Sequence, residues 1–247
     1  MVYLYIDNGE DGNDDTTKTL KWRQSPKSLD GRTGKMMYRK QMCANTRGFF
    51  EKKFYLCMKT KTNRNLGMDI VTERLILRAW REEDAEDLYG YAKSPQVGPI
   101  AGWPVHTSVE NSREIINTIL SAPETYAVVL KSTGKPVGSI GLMVGKKSNI
   151  GLPDDECEIG YWIGVPYWGQ GLIPEAVREL QRHAFNALGM QKMWCGYFDG
   201  NIKSKRVQEK CGFKYQMTKE NVPSQLPGEL RTEHITCITK KEWESSI

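Results

Sequence analysis

The chain has 247 residues, 39% of them hydrophobic, which is enough apolar material for one well-packed domain and a small appendage. Charged and polar residues break every apolar run well short of the roughly 18 to 20 residues that a spanning helix needs, so no membrane segment is expected. The net charge of +5 is unevenly divided: residues 1–67 hold 14 Lys+Arg against 7 Asp+Glu, whereas residues 68–247 hold 21 against 23. A nucleic-acid interaction would have to rest on the first segment, and none is expected for 68–247. The start, Met1-Val-Tyr-Leu-Tyr-Ile-Asp-Asn-Gly-Glu10, has no basic n-region and points to the cytoplasm. Six cysteines without a CxxC pair read as reduced thiols. Three histidines, His106, His183 and His234, lack the spacing of a zinc site, and no metal is expected.

Residues 1–67 are turn-rich and charged, with one apolar cluster, Phe49 to Leu56, broken by Glu51, Lys52 and Lys53. They read as a basic, poorly ordered extension without a core of its own. Two origins fit it: a genuine arm, or upstream sequence translated from a wrongly assigned start codon, with Met68 as the natural start. As an arm it would bind ribosomal RNA or acidic protein with steep salt dependence.

From Met68 onward periodicity is strong. Leu75–Ala79 alternates as a strand, and Glu82–Tyr91 reads as a short helix with acidic residues in its first turn. Thr107-Ser-Val-Glu110 reads as a capping box opening a helix to about Leu120. Tyr126–Leu130 and Val137–Val144 flank Lys-Ser-Thr-Gly-Lys-Pro, a hairpin signal. Glu156–Val165 is the next strand. Pro174–Leu188 is a helix with Pro in its first turn and Gly189 as its stop. Met193–Tyr197 is a strand, Ile202–Cys211 a helix closed by Gly212, and Phe213–Met217 and His234–Thr239 are the last strands. This order predicts an α+β fold, with helices flanking one mixed, mostly antiparallel sheet. The Gly- and Pro-rich Ser94–His106 segment suits a substrate-site wall.

The stretch Glu158-Ile-Gly-Tyr-Trp-Ile-Gly-Val-Pro-Tyr-Trp-Gly-Gln-Gly-Leu-Ile-Pro-Glu-Ala176 carries the chemistry. A strand runs into a glycine-bearing turn and directly into a helix. Gly169 and Gly171 allow backbone angles closed to other residues, and the successive N–H groups then converge on one spot that suits a phosphate. The pattern is neither a P-loop nor a dinucleotide fingerprint, since Pro174 stands where the third glycine would be.

Trp168-Gly-Gln-Gly-Leu-Ile-Pro-Glu-Ala176 resembles the pyrophosphate motif of the GNAT superfamily of N-acetyltransferases, in the branch typified by RimI, RimJ and RimL and nearest to RimJ/RimL. Thr72-Glu-Arg-Leu-Ile-Leu-Arg78 is similar to that branch's opening strand, and Glu158–Ile163 to its central strand. Asn201-Ile-Lys-Ser-Lys-Arg-Val-Gln-Glu-Lys-Cys-Gly-Phe213 is similar to its Asn-x-x-Ser segment. Together the four motifs span 68–247. One departure is that the superfamily's Arg/Gln-x-x-Gly-x-Gly/Ala becomes Trp168-x-x-Gly171-x-Ile173. A charged side chain and a glycine are lost, which leaves phosphate contacts to backbone N–H groups.

The resemblance implies acetyl transfer from acetyl-CoA, as co-substrate, to a primary amine by direct attack in a ternary complex. The partners it implies are acetyl-CoA and an amine acceptor, with the chain a monomer or homodimer. It places Trp168, Gly169, Gln170, Gly171, Leu172 and Ile173 on the pyrophosphate, the backbone of Ile163 and Val165 along the pantetheine arm, and Asn201 at the same arm. Glu158 is the first choice as general base, with Asp155 and Glu156 competing for the role. Ser204 is the candidate proton donor to the thiolate, with Tyr197 and Tyr215 in reserve, and the strand N–H near Ile163 would serve the oxyanion. His234 reads as a strand-face residue. The alternative function is a catalytically silent acyl-CoA-binding sensor or partner subunit.

Overall fold

The computed structural model describes residues 69–246, so the N-terminal extension, its expected disorder and its possible binding role lie outside the described residues. Strands β1 (Ile70–Val71) and β2 (Leu75–Arg78) form the opening hairpin. A 3-10 turn at Glu82–Asp84 leads into α1 (Ala85–Ala92), followed by α2 (Gly98–Ala101) and α3 (Val109–Thr118). Strands β3 (Thr125–Leu130), β4 (Lys135–Val144) and β5 (Glu156–Ile163) precede α4 (Leu172–Arg182). After β6 (Lys192–Phe198) and α5 (Ile202–Lys210), β7 (Lys214–Pro223) and β8 (Leu230–Thr239) form a long hairpin, and α6 (Lys240–Glu244) ends the chain.

The eight strands form one sheet in the order β1-β2-β3-β4-β5-β6-β8-β7, antiparallel throughout except for β5 and β6. That pair is parallel because α4 carries the chain back across the sheet between them. The pairing covers only Glu156–Glu158 against Lys192–Trp194. Beyond those three rungs β5 continues to Ile163 and β6 to Phe198 without a partner in each other, so the middle of the sheet opens as a fork.

Each face of the sheet carries its own core. Because side chains alternate along a strand, Cys157, Ile159 and Tyr161 face α4 and α5, where Leu172, Ala176, Val177, Leu180 and Phe185 pack on them. Trp162 faces the other way and packs with Trp80, Leu88, Ala92 and Ile116 around α1 and α3. Fully burying a Leu or Phe at such positions contributes roughly 1.5–3 kcal/mol. The Arg78 guanidinium makes two hydrogen bonds to Asp84, at 2.7 and 2.8 Å, and Asp84 also accepts the Arg81 N–H at 2.9 Å. This pins the end of β2 to the first helical turn.

Local departures from the sequence reading have identifiable causes. The cap of α3 is Ser108 rather than Thr107: its Oγ accepts from the Asn111 N–H at 3.1 Å, and Asn111 Oδ1 accepts the Thr107 N–H at 3.2 Å, so Asn111 takes the place of Glu110. The Gly/Pro-rich segment holds one helical turn, α2, with Pro99 in its first turn and Gly102 ending it at φ +86°. The helix predicted to reach Leu188 widens after Arg182 into a π turn, where the Leu188 N–H donates to the His183 carbonyl at 3.1 Å. Strand β5 ends at Ile163 rather than Val165, because Pro166 starts a 3-10 turn over Val165–Tyr167.

Candidate active site

The turn between β5 and α4 is built for an anion. Gly169 and Gly171 have φ of +76° and +75°, in the left-handed region that side chains disfavour. Helix α4 starts without a side-chain cap. Among the described residues, none of the N–H groups of Gly169, Gln170, Gly171, Leu172 and Ile173 has a hydrogen-bond partner. Five open donors in succession, at the positive end of an eleven-residue helix, form an anion-binding nest. The carboxylate that could compete for them is drawn aside: Glu175 accepts from Thr72 Oγ1 at 2.6 Å, from the Arg74 N–H at 2.8 Å and from Arg74 Nε at 2.7 Å. Burial pushes the Glu175 carboxyl up, but these bonds outweigh it and hold it below the usual range. Arg74 also donates to the Gln170 carbonyl at 2.9 Å, so the opening strand motif braces the turn.

The turn borders a cleft of about 420 Å³ that enters the fork. Of the residues named from the sequence, Ile163, Trp168, Gly169, Gly171, Leu172, Ile173, Asn201 and Ser204 line it. Gln170 does not; its side chain is exposed and donates to the Pro166 carbonyl at 2.9 Å. Val165 does not either, and its carbonyl accepts the Trp168 N–H at 3.2 Å within the 3-10 turn. The Ile163 carbonyl accepts Trp168 Nε1 at 3.0 Å. The Gly164 N–H bonds to Val137 on β4, so by alternation the Ile163 N–H points into the fork. Lys203, Arg206 and Lys210 along α5 add positive charge to the rim, Lys203 Nζ lying 4.0 Å from the centre of the Trp168 ring. Sequence reading missed these cations, although their spacing puts them on one stripe of a helix already identified.

Ser204 sits inside a directed hydrogen-bond chain. Asn201 caps α5 by accepting the Ser204 N–H at 3.2 Å, which fixes the serine at the mouth of the fork. Gln208 Nε2 donates to the Gly196 carbonyl and to Ser204 Oγ, both at 3.1 Å, while its Oε1 accepts from Thr236 Oγ1 at 2.7 Å. Tyr161 Oη lies 3.1 Å from Ser204 Oγ. Gln208 donates to the Ser204 hydroxyl, while the Tyr161 hydroxyl also donates to the Ser204 backbone carbonyl at 3.3 Å, so the serine oxygen is held from two sides at the mouth of the fork. Burial keeps the Tyr161 hydroxyl protonated, well above its ordinary pKa. Tyr161 and Gln208 were not singled out from the sequence; only the alternation along β5 could have pointed to Tyr161. The reserve tyrosines lie elsewhere. Tyr197 packs on His234 with ring centres 5.0 Å apart, and Tyr215 is exposed on β7.

Glu158 occupies the last rung before the fork, opposite Trp194. It faces away from Ser204, on the α1–α3 side of the sheet, and is not on the cleft wall. Only 3% exposed, it accepts from the Asn149 N–H at 2.9 Å and from Asn149 Nδ2 at 3.2 Å, one donor to each oxygen. Burial pushes its pKa up, and the Asn149 donors pull it back in part. Its competitors do other work: Glu156 accepts Trp194 Nε1 at 2.6 Å and pairs with Lys192 at 2.9 Å, and Asp155 is exposed. The three histidines sit apart, with Ser112, Glu124 and Asp199 as their respective partners.

Residues 74–214 match the acetyltransferase (GNAT) domain family. The chain belongs to the GNAT acetyltransferase family. An uncharacterized N-acetyltransferase of Bacillus licheniformis is 30% identical over 150 residues, covering 59% of this chain and 82% of the relative. A GNAT-family acetyltransferase structure from Bacillus anthracis superposes with a TM-score of 0.62 at 22% identity, covering 70% of this chain and 99% of that one. A ribosomal-protein-S5-alanine acetyltransferase structure from Vibrio fischeri gives 0.56 at 20% identity, over 71% and 98%. These two likenesses establish the shared fold. With the family in hand, the chain is an N-acetyltransferase. Among the described residues no helix is long and apolar enough to cross a membrane.

Proposed function

We propose that this N-acetyltransferase moves an acetyl group from acetyl-CoA to a primary amine, either a protein N-terminus or a small-molecule amine, by direct attack in a ternary complex. The observation that carries the reading is the row of five open N–H groups at 169–173, ringed by Arg74, Lys203, Arg206 and Lys210 at the entrance to the fork. A diphosphate satisfies that chemistry. Acetyl-CoA supplies the activated acetyl group.

The residues divide the remaining tasks. The N–H groups of 169–173 hold the diphosphate, and the rim cations offset its other charges. Asn201 and the Ile163 N–H flank the path of the pantetheine arm, and the same N–H is placed to steady negative charge on the carbonyl oxygen. Ser204, on the cleft wall, supplies a proton to the leaving sulfur. The buried Glu158 and its acceptor oxygens favour a hydrogen-bond-donating ammonium group approaching the fork from the α1–α3 side. Four buried thiols, Cys157, Cys195, Cys211 and Cys237, all pushed up by burial, suit a reducing compartment, and we place the protein in the cytoplasm.

The test uses the full chain. Acetyl-CoA at about 100 times its dissociation constant should stabilise the fold by roughly 2.7 kcal/mol, a rise of several degrees in melting temperature. Thiol release should follow with one acceptor class from a panel of N-terminal peptides, amino acids and polyamines. Absence of any thermal shift would remove the reading.

A further inference from the structure

We propose that Glu233 is the carboxylate that receives the acceptor amine's proton, beside a Glu158 whose two oxygens both accept from Asn149. This rests on the transferase reading above and adds a residue to it.

Glu233 lies near the start of β8, opposite Phe198 on β6, and its side chain turns diagonally across the sheet towards Gly196. Any side chain at Gly196 would collide with it: a Cβ there would stand 2.2 Å from Glu233 Oε1. Gly196 is the second residue of β6 past the last rung shared with β5. The glycine therefore makes room for a carboxylate over the crotch of the fork, on the face that carries Glu158 and Trp162.

That carboxylate is 6% exposed and, among the described residues, has no hydrogen bond and no ion pair. Burying a carboxyl without partners is costly, and such a group in a native fold calls for a reason. Among the described residues, the charged groups that act on it are Glu158 from β5 and Lys219 from β7. Arg231, two residues earlier on the same face, is committed to Glu229 and to the Pro99 carbonyl. Above the fork stand Trp103 and Trp162, aromatic faces over an anionic floor that suit an ammonium group, while Phe198 beside them carries the Arg231 guanidinium 4.9 Å from its ring centre.

The two carboxylates are not equivalent. Both oxygens of Glu158 are taken by Asn149 donors, which favour its charged form. Glu233 has no such donors; burial first and the Glu158 charge second push it up to about 7. A carboxyl raised towards neutrality in this way can take a proton near pH 7, the condition for an efficient general base. In the step itself the amine nitrogen forms the C–N bond as the C–S bond breaks. The surplus proton on nitrogen passes to Glu233, and the sulfur leaves with the electron pair of the broken bond. Proton return to solvent resets the carboxylate.

The experiment compares the full-length wild type with Glu233→Gln, Glu233→Asp and Glu158→Gln. The acceptor probes are short peptides with free N-terminal alanine, serine or methionine, together with spermidine and lysine. E233Q is expected to lose about 100-fold or more in kcat while the KM and thermal shift for acetyl-CoA stay unchanged. The wild-type kcat/KM should rise with pH through a limb near 7, which E233Q loses, E233D keeps at a lower rate, and E158Q moves to lower pH. E233Q activity within threefold of wild type, with the same limb, overturns the assignment of Glu233 and leaves the transferase reading intact. If no probe reacts, acetyl-CoA hydrolysis is compared instead, since water must lose its proton to the same group. Slower hydrolysis by E233Q supports the assignment, and equal rates overturn it. A wild type that binds acetyl-CoA but neither transfers nor hydrolyses removes the transferase reading and the role of Glu233 with it.

Discussion

On the side of the sheet that carries α4 and α5, the groups aimed at the cleft are backbone N–H donors and exposed cations, all open to whatever enters. On the side that carries α1 to α3, the charged groups nearest the fork are Glu158 and Glu233, both more than nine-tenths buried. The first side is positive through geometry, because two left-handed glycines and a helix start leave donors unpaired. The second is negative through burial, because carboxylates are kept where water cannot neutralise them. On the proposed reading, an anionic coenzyme and a cationic acceptor would approach from opposite faces and meet where β5 and β6 part.

The sharpest way to break this contrast is Gly171→Val, which forces a β-branched residue into φ +75° and disorders the open donors. Affinity for acetyl-CoA should fall at least about 100-fold, close to 3 kcal/mol, by calorimetry on protein whose circular dichroism is unchanged. E158Q and E233Q should keep it within threefold. Equal losses from both sides would mean the two faces are not separate.

The carboxylate side should declare itself in the pH dependence of stability. Glu233, raised from 4.5 to about 7, contributes stability that is complete below pH 4.5 and is lost as pH rises through 7, a fall of about 3 kcal/mol at most. Glu158, also raised, acts in the same direction. His106, pushed down by burial from 6.5 to about 4, works the other way, gaining stability as pH rises through that range. Urea midpoints from pH 5 to 8 should therefore be compared with E233Q, whose profile should lack the Glu233 part of the fall; parallel profiles would refute the assignment of this carboxyl as strongly raised.

Asn149→Ala tests the asymmetry within the pair. It removes two donors that favour ionised Glu158, so the destabilisation should be about 1–3 kcal/mol at pH 8 and smaller at pH 5. The same loss at both pH values would mean that Asn149 only packs. The smallest effect belongs to the rim. Lys203→Ala and Lys210→Ala, each removing one exposed charge, should weaken acetyl-CoA binding by no more than about 1 kcal/mol, with the difference fading at high salt.

Much of this arrangement was legible in the residues. The strand, glycine turn and helix from Glu158 to Ala176 stand where the alternation and the Gly-x-Gly spacing put them, and Asn201 and Ser204 follow as cap and hydroxyl. Short-range signals suffice there, since the turn glycines, the start of α4 and the Asn201 cap are set by neighbours in sequence. The β7–β8 hairpin was read as two short strands because β7 is exposed along most of its length and lacks an apolar alternation. Arg74 gains its role from a turn 96 residues later in the chain. Glu233 reads as an ordinary charge until the ladder sets it diagonally across from a glycine 37 residues earlier, and no local pattern carries that information. Glu158 was read correctly as a carboxylate in an apolar strand, but its partner in the loop before β5 belongs to tertiary structure.

Three rungs between β5 and β6 also make the sheet two half-sheets, one of five strands and one of three. Among the described residues, the Tyr161 and Ile163 amides, facing the gap, have no neighbouring strand to shield them, so their hydrogens should exchange with solvent faster than those of Ile140 or Leu142 in the continuous ladder. A molecule lying in the gap with amides of its own would act as the missing strand. Slowed exchange at Tyr161 and Ile163 on adding acetyl-CoA, spreading into β6 and β8, would record the two halves becoming one.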